Sequence, residues 1–550
     1  MPGFASSTIL HWTRVGLTIV AFGLGTILRA QDAPSQEPTE SLPIPHPTPP
    51  APAPSTASEA PMTPREAALE RRVQQLEEMV QQLMQSKAAA TSPGTTPTTD
   101  ASGEAAPDVG SAASADAPSA TGGVGAPGQS LPPNPAPSAR FNAPATLESK
   151  KMNAKFGPGF ELRTDDDEYI FQFHNLTQFE YRGYKQGNHA TEKDSFLIPR
   201  QWWMFSGRMT KPIGYFVSFA NGFDAISMLD VFLDFDFDPV FRIRAGRFKS
   251  PFTYEFLVEP PQGLIQPEQS VFFNNFGQNR DNGVMAFGRM FRDTFDYAAG
   301  IFNGTRNGYV ANTDSKFVSA FINWKPFRNA EGSILENFNV GGSVFGGTND
   351  NLPFPQTLRT IVPLSGNAVA GVPFLAFNGD VREVGPMTLW DLHAAWFYRQ
   401  LAVIAEWGSG FQDYALNANL SNRTHLPIDS YYVQMGYLLT GETRSAVGIV
   451  KPLRPFSLKR GDFGLGAWEL AARFQRLDIG DEVFTNGLSD QHLWTNRLWI
   501  TDLGFNWHIN QYVKFMFDWE HADFGKPVFF NVNQFSKTND LFLARIQLYF

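Results

Sequence analysis

The sequence predicts an all-β protein, a 16-stranded antiparallel transmembrane β-barrel preceded by a signal peptide, disordered spacers and a short coiled-coil helix. Three observations predict it. From about residue 155 onward, short segments alternate apolar and mixed side chains, the period-two signature of strands with one wet face. The chain holds 50 Phe, 12 Trp and 14 Tyr, a load that a barrel places on its outer wall and interfacial girdles and that a cytosolic enzyme would need a very large core to use. Tight connections alternate with long ones, as where short periplasmic turns oppose long outer loops.

Residues 1–30 read as a signal peptide: Arg14 precedes an apolar run from Val15 to Leu28, and polar residues begin at Gln31. That run is short for a bilayer-spanning helix, and no later segment offers the roughly 20 apolar residues one needs. Residues 31–62 and 88–155 are rich in Pro, Ala, Ser, Thr and Gly and bury too little apolar surface to order themselves, so both read as spacers. Between them, residues 63–87 carry Leu69, Val73, Leu76, Val80 and Leu83 at alternating gaps of four and three. Thr63 fits the N-cap, Pro64 the first helical position and Glu66 the capping box. Because about three heptads are marginal in water alone, the stripe requires a partner: another copy of itself, another protein, or the barrel surface.

The barrel domain is expected over 156–550, with strands near 168–182, 200–210, 212–221, 227–238, 240–248, 283–290, 295–302, 316–325, 338–346, 388–398, 401–408, 430–439, 466–476, 497–508, 511–520 and 541–550. Phe550 ends the closing strand, in which Phe542, Ala544, Ile546 and Leu548 oppose Leu543, Arg545, Gln547 and Tyr549. An even count with a wet interior encloses an aqueous bore. Two connections, 325–337 and 440–465, are long although the count places them on the periplasmic side. A strand at 444–450 would break the parity; a long turn there preserves it.

Composition narrows the chemistry. With no Cys, thiolate catalysis, disulfides and Cys-ligated metals are excluded. A net charge of -10 argues against nucleic acid, which asks for a basic face. There is no Gly-x-Ser-x-Gly, no His-Glu-x-x-His and no phosphate-cradling loop, and the nine His are scattered, so no enzyme, cofactor or metal site is expected. His174, His393 and His508 fall on inward faces and read as wall residues.

Four stretches carry a family likeness: Gly246, Arg247, Phe248, Lys249, Pro251 and Phe252 leading into a long outer loop; Tyr437, Leu438, Leu439, Thr440, Gly441 and Glu442; Gly466, Ala467, Trp468, Glu469, Leu470, Ala471, Ala472 and Arg473; and Gly504, Asn506, Trp507 and Asn510. Together they resemble the phosphate-selective porin O and P family of outer-membrane channels, across roughly 156–550. The resemblance implies a homotrimer in the outer membrane and passive diffusion of small anionic solutes, phosphate above all, past an inward-folded third loop. It also accounts for a short coiled coil after the signal.

On strand parity, Arg242 and Arg244 point into the lumen, as does Arg473, while Arg200 and Lys249 lie near the outer mouth. A guanidinium in a narrow bore attracts oxyanions through charge-assisted hydrogen bonds. Asp230, Asp234, Asp236 and Glu469 share the lumen, and each arginine is open to a second reading as half of a wall ion pair. The family's several arginines at the start of the second strand are reduced here to Arg200 alone. The expected function is an outer-membrane porin, with two alternatives: a non-selective porin, or a structural barrel whose coiled coil tethers the membrane to periplasmic material.

Overall fold

The computed structural model describes residues 150–550 except 158, 186–191, 223–224, 312, 363–370, 418–421 and 532–533. The expected signal peptide at 1–30, spacer at 31–62, helix at 63–87 with its stripe Leu69, Val73, Leu76, Val80 and Leu83, and the linker as far as 149 all lie outside the described residues.

A hairpin of β1 (Met152–Gly157) and β2 (Gly159–Thr164) precedes the wall, in addition to the sixteen strands expected from the alternation. The wall opens with β3 (Ile170–Tyr184), β4 (Ser195–Thr210), β5 (Ile213–Gly222), β6 (Ala225–Asp238), β7 (Phe241–Lys249), β8 (Arg280–Met290), β9 (Phe295–Phe302), β10 (Phe317–Trp324) and β11 (Asn337–Asn351). A small hairpin, β12 (Thr357–Arg359) and β13 (Pro373–Ala376), sits in the next outer loop. The wall resumes with β14 (Val381–Tyr398), β15 (Leu401–Leu416) and β16 (Arg423–Leu438). A second small hairpin, β17 (Ser457–Lys459) and β18 (Asp462–Gly464), precedes β19 (Ala467–Ile479), β20 (Arg497–His508), β21 (Val513–Asn531) and β22 (Gln534–Tyr549).

Each wall strand pairs antiparallel with its neighbours in sequence order, and β22 returns to β3 through Leu541↔Tyr184 to Tyr549↔Leu176. That pairing closes a 16-stranded cylinder, because closure leaves no unpaired edge in hydrocarbon. Phe550 extends the seam: its backbone N–H and C=O both bond to Asn175, at 3.1 and 2.9 Å. No strand forms at 444–450, so the even count holds.

Alternation sets the two faces. Leu233, Ile243, Val284, Ile301, Val318, Ile322, Leu392, Leu470, Leu503 and Ile546 stand exposed on the outside. A contiguous apolar band of this size is unfavourable against water and favourable against lipid tails. Trp324, Trp396, Tyr398, Trp468 and Trp507 lie near the periplasmic turns, where amphipathic rings suit the headgroup level. A share of the Phe goes elsewhere than the outer wall: Phe248, Phe302, Phe317 and Phe345 are buried on the inner face beneath the inward-folded segment 250–279. The lumen therefore has its own hydrophobic core.

The two long periplasmic connections have different structures. Residues 325–336 form a run of hydrogen-bonded turns, from Arg328 N–H donating to Lys325 to Glu336 N–H donating to Ser333. Residues 439–466 reach inward, where Arg444 is buried against Glu469 at 2.6 Å.

Candidate functional site

The segment 250–279 contains two short helices, α1 (Tyr254–Leu257) and α2 (Val271–Phe276), and irregular backbone between them. Its departure from the wall is set by Gly246, whose φ of +135° and a would-be Cβ contact of 2.2 Å with the Val231 carbonyl admit no side chain. Beyond it, Phe248 and Phe252 bury completely and anchor the first part of the loop.

Irregular backbone at membrane depth must find partners, and the wall supplies them in two groups. On β15, the Glu406 carboxylate accepts from the N–H groups of Tyr254 and Glu255 at 2.8 and 2.7 Å. The Gln475 side chain accepts from Val271 N–H at 2.8 Å. On β19–β22, across the lumen from β7 where the loop departs, five side chains donate to loop carbonyls: Gln547 to Gln262, Lys514 to Leu264, Asn506 to Ile265, Arg545 to Pro267 and Arg473 to Glu268, all between 2.6 and 2.9 Å. The loop thus crosses the lumen and docks on β19–β22.

At the end of that run, Glu268 meets three guanidinium groups. Arg200 binds both its oxygens at 3.1 and 2.6 Å, Arg545 donates at 2.5 Å and Arg182 stands at 3.7 Å. Glu180 completes the cluster by pairing with both Arg182 and Arg545. Burial by itself would raise the Glu268 pKa, but the positive charges of Arg200, Arg545 and Arg182 overcome it and hold the group below the usual carboxylate range.

Glu255 is in the opposite situation. Burial first, and the neighbouring Glu406 second, push its carboxyl up to about 8, although Ser270 donates to it. A folded-state pKa above the unfolded value means that the docked loop holds an extra proton. Its stabilising share is present below about pH 4.5, the ordinary value, and is lost as pH rises through about 8. The detergent-solubilised barrel is therefore expected to lose several degrees of thermal midpoint between pH 5 and pH 9 by roughly this linkage. Glu255→Gln should reduce that dependence, with Glu259 of the same loop, also raised by burial, retaining the rest; an unchanged slope in the variant would refute the assignment.

The residues expected at the lumen are placed as follows. Arg244 faces inward, pairs with Asp234 at 2.7 Å and lies 3.8 Å over the Phe232 ring. Arg242 pairs with Asp236 at 3.7 Å and lies over Phe287. Arg473 is buried and bonds Asp502 at 2.8 Å. Arg200 does not stand open at the outer mouth; it is 4% exposed, pairs across the wall with Gln178 and is covered by the loop. Lys249 donates to the Phe256 carbonyl at 2.6 Å and lies over that ring, with no carboxylate within ion-pair distance among the described residues. His393 bonds Asn323 and His508 bonds Glu469, each at 3.1 Å, as wall residues.

Two features went unread in the sequence. One is Glu268, the acid around which the waist assembles. The other is Arg208, which lines a periplasmic-side cavity of about 320 Å³ with Arg163, Arg244, Gln172, Ser206 and Tyr215. Arg208 lies two residues along the same face from Ser206, so strand parity alone could have found it.

The barrel, its lipid-compatible exterior and its charged interior agree with the comparisons to known proteins. The family model "Phosphate-selective porin O and P" matches residues 375–550. Porin O of Pseudomonas aeruginosa is 22% identical over 450 residues, covering 74% of this chain and 95% of that protein. Among solved structures, a loop-deletion mutant of the outer-membrane protein OmpT of Vibrio cholerae aligns with a TM-score of 0.43 at 8% identity, over 70% of this chain and 100% of that one. The anion-selective porin of Comamonas acidovorans aligns with a TM-score of 0.41 at 9% identity, over the same shares. The chain is an outer-membrane porin whose residues 375–550 are similar to the phosphate-selective porin O and P family.

Proposed function

We propose that the channel passes small solutes by passive diffusion with a preference for anions, phosphate among them. The observation that carries this reading is the guanidinium cluster at the waist, where Arg182, Arg200 and Arg545 gather around Glu180 and Glu268, with Asp518 and Glu520 standing farther off. A net positive charge in a narrow, partly dehydrated passage attracts anions and repels cations. Arg208 adds to it at the inner mouth, where it lines one cavity with Arg163, Arg244 and Asp234. A non-selective channel is the second reading, favoured by the carboxylate partners of Arg242, Arg244 and Arg473.

Reversal potentials across a planar bilayer under a salt gradient decide between them. The wild-type channel is expected to favour chloride over potassium. Arg242→Gln combined with Arg244→Gln leaves Asp234 and Asp236 uncompensated, so selectivity should move toward cations by roughly a few-fold, as expected of altered fixed charge in a bore. An unchanged reversal potential would mean that those two arginines serve the wall alone.

Residues 1–30 are assigned to export, and the protein to a homotrimer. We further propose that the heptad stripe in residues 63–87 serves self-association or holds periplasmic material. Conductance after deletion of residues 31–150 tests the last point: a tether is lost without altering the bore.

A further inference from the structure

The outer vestibule, above the crossing loop, contains a cavity of about 660 Å³ that the waist does not use. It lies between the end of α2, the segment after β9, the outer ends of β11 and β14, and the neighbouring strands β15 and β16. Its size is that of a small-molecule site, roughly 300–1,000 Å³.

Its charges cancel and are already engaged. Arg306 donates to the carbonyls of Gly277, Asn274 and Phe354. Arg382 pairs with Asp350 at 3.1 Å. Glu383 accepts from the Asn349 amide and from Phe354 N–H. Two cations against two anions, each with partners, leave nothing to recruit a charged solute.

What remains unpartnered is neutral. Gln278, 4% exposed, lines the cavity with a carbonyl oxygen that has no donor. Tyr414, 3% exposed and stacked on Phe377 at 4.8 Å, lines it with a hydroxyl that bonds to no described residue. A buried acceptor without a donor is costly until something donates to it. Phe276, Leu358, Met387 and Leu389 supply apolar lining beside these groups.

We propose that this cavity binds a neutral, hydroxyl-rich solute with an apolar face, of the class of mono- and disaccharides. A sugar hydroxyl donates and accepts at once, so it satisfies the Gln278 oxygen and the Tyr414 hydroxyl, while the C–H face of a pyranose ring covers the apolar lining. The inference rests on the channel reading only for the route by which solute arrives.

Calorimetric titration of maltose into the detergent-solubilised full chain tests it, with sodium phosphate as the charged comparison. Maltose is expected to bind saturably, with affinity reduced about tenfold by Tyr414→Phe, in line with one lost hydrogen bond. Gln278→Leu should reduce it by a similar factor. No saturable binding of maltose, equal affinity in both variants, or competition by phosphate at the same site would overturn the proposal. Tyr414→Phe removes one oxygen and no packing, so a folding failure of Gln278→Leu does not spare the idea. Bilayer conductance of the same preparation reports on the porin reading separately: a conducting channel that ignores maltose sinks only the vestibule site.

Discussion

Glu268→Ala is expected to free the crossing loop and open the waist. The substitution removes the carboxylate that Arg200 grips with both nitrogens and that Arg545 and Arg182 share. Arg200 would then keep its bond to the Gln178 amide, and Glu180 would be left to pair with both Arg182 and Arg545. Stranding buried charge in this way costs about 3–5 kcal/mol. The wall is held by continuous strand pairing, so the loss should appear as detachment of the loop before the barrel unfolds.

Three readings check it. The thermal midpoint falls by several degrees, single-channel conductance rises and becomes noisier, and anion preference increases because one negative charge leaves a positive cluster. An unaltered conductance in a correctly folded Glu268→Ala barrel would show that the waist does not depend on this acid. The wild-type dock has a matching acid limit. The depressed Glu268 pKa contributes stability that is present above the ordinary carboxylate range and lost as pH falls through the folded value.

The second large effect is steric and one-sided. Gly263, at the tip of the crossing loop, lies against Gly448 of the inward periplasmic connection; a Cβ there would come within 2.7 Å of the Gly448 Cα and 2.9 Å of its nitrogen. Backbone cannot rotate away as a side chain can, so Gly263→Val must separate loop from turn, at about 1–3 kcal/mol for overpacking. A changed conductance together with a lower thermal midpoint is expected. A Cβ at Gly448 meets nothing within 4 Å, and Gly448→Ala should behave as wild type. Equal effects from both substitutions would refute the contact.

This contact explains why the connection at 439–466 is long on a side where turns are short. The sequence registers it as an exception to the alternation of turn lengths and offers no cause, because the cause is a partner near residue 263. Arg444, sequestered against Glu469, belongs to the same inward fold. Glu268 was illegible for a similar reason. In an irregular loop no period assigns a side chain to a face, so nothing distinguished it from the other acids of the segment.

The sequence by itself determined the wall: sixteen strands, their antiparallel order, which residues face lipid, and the seam at Phe550. Side-chain direction in a strand depends only on parity, and parity is local. Arg242, Arg244 and Arg473 were placed on the inner face by that rule alone. Only the tertiary structure decided what each inward charge does. Arg200 became a loop clamp, Lys249 a donor to a loop carbonyl, and Arg545 the link between Glu180 and Glu268, 365 and 277 residues away along the chain. Those roles depend on where an irregular loop returns across a closed cylinder. That return is fixed by the need to satisfy its buried carbonyls and N–H groups, which no residue can express alone.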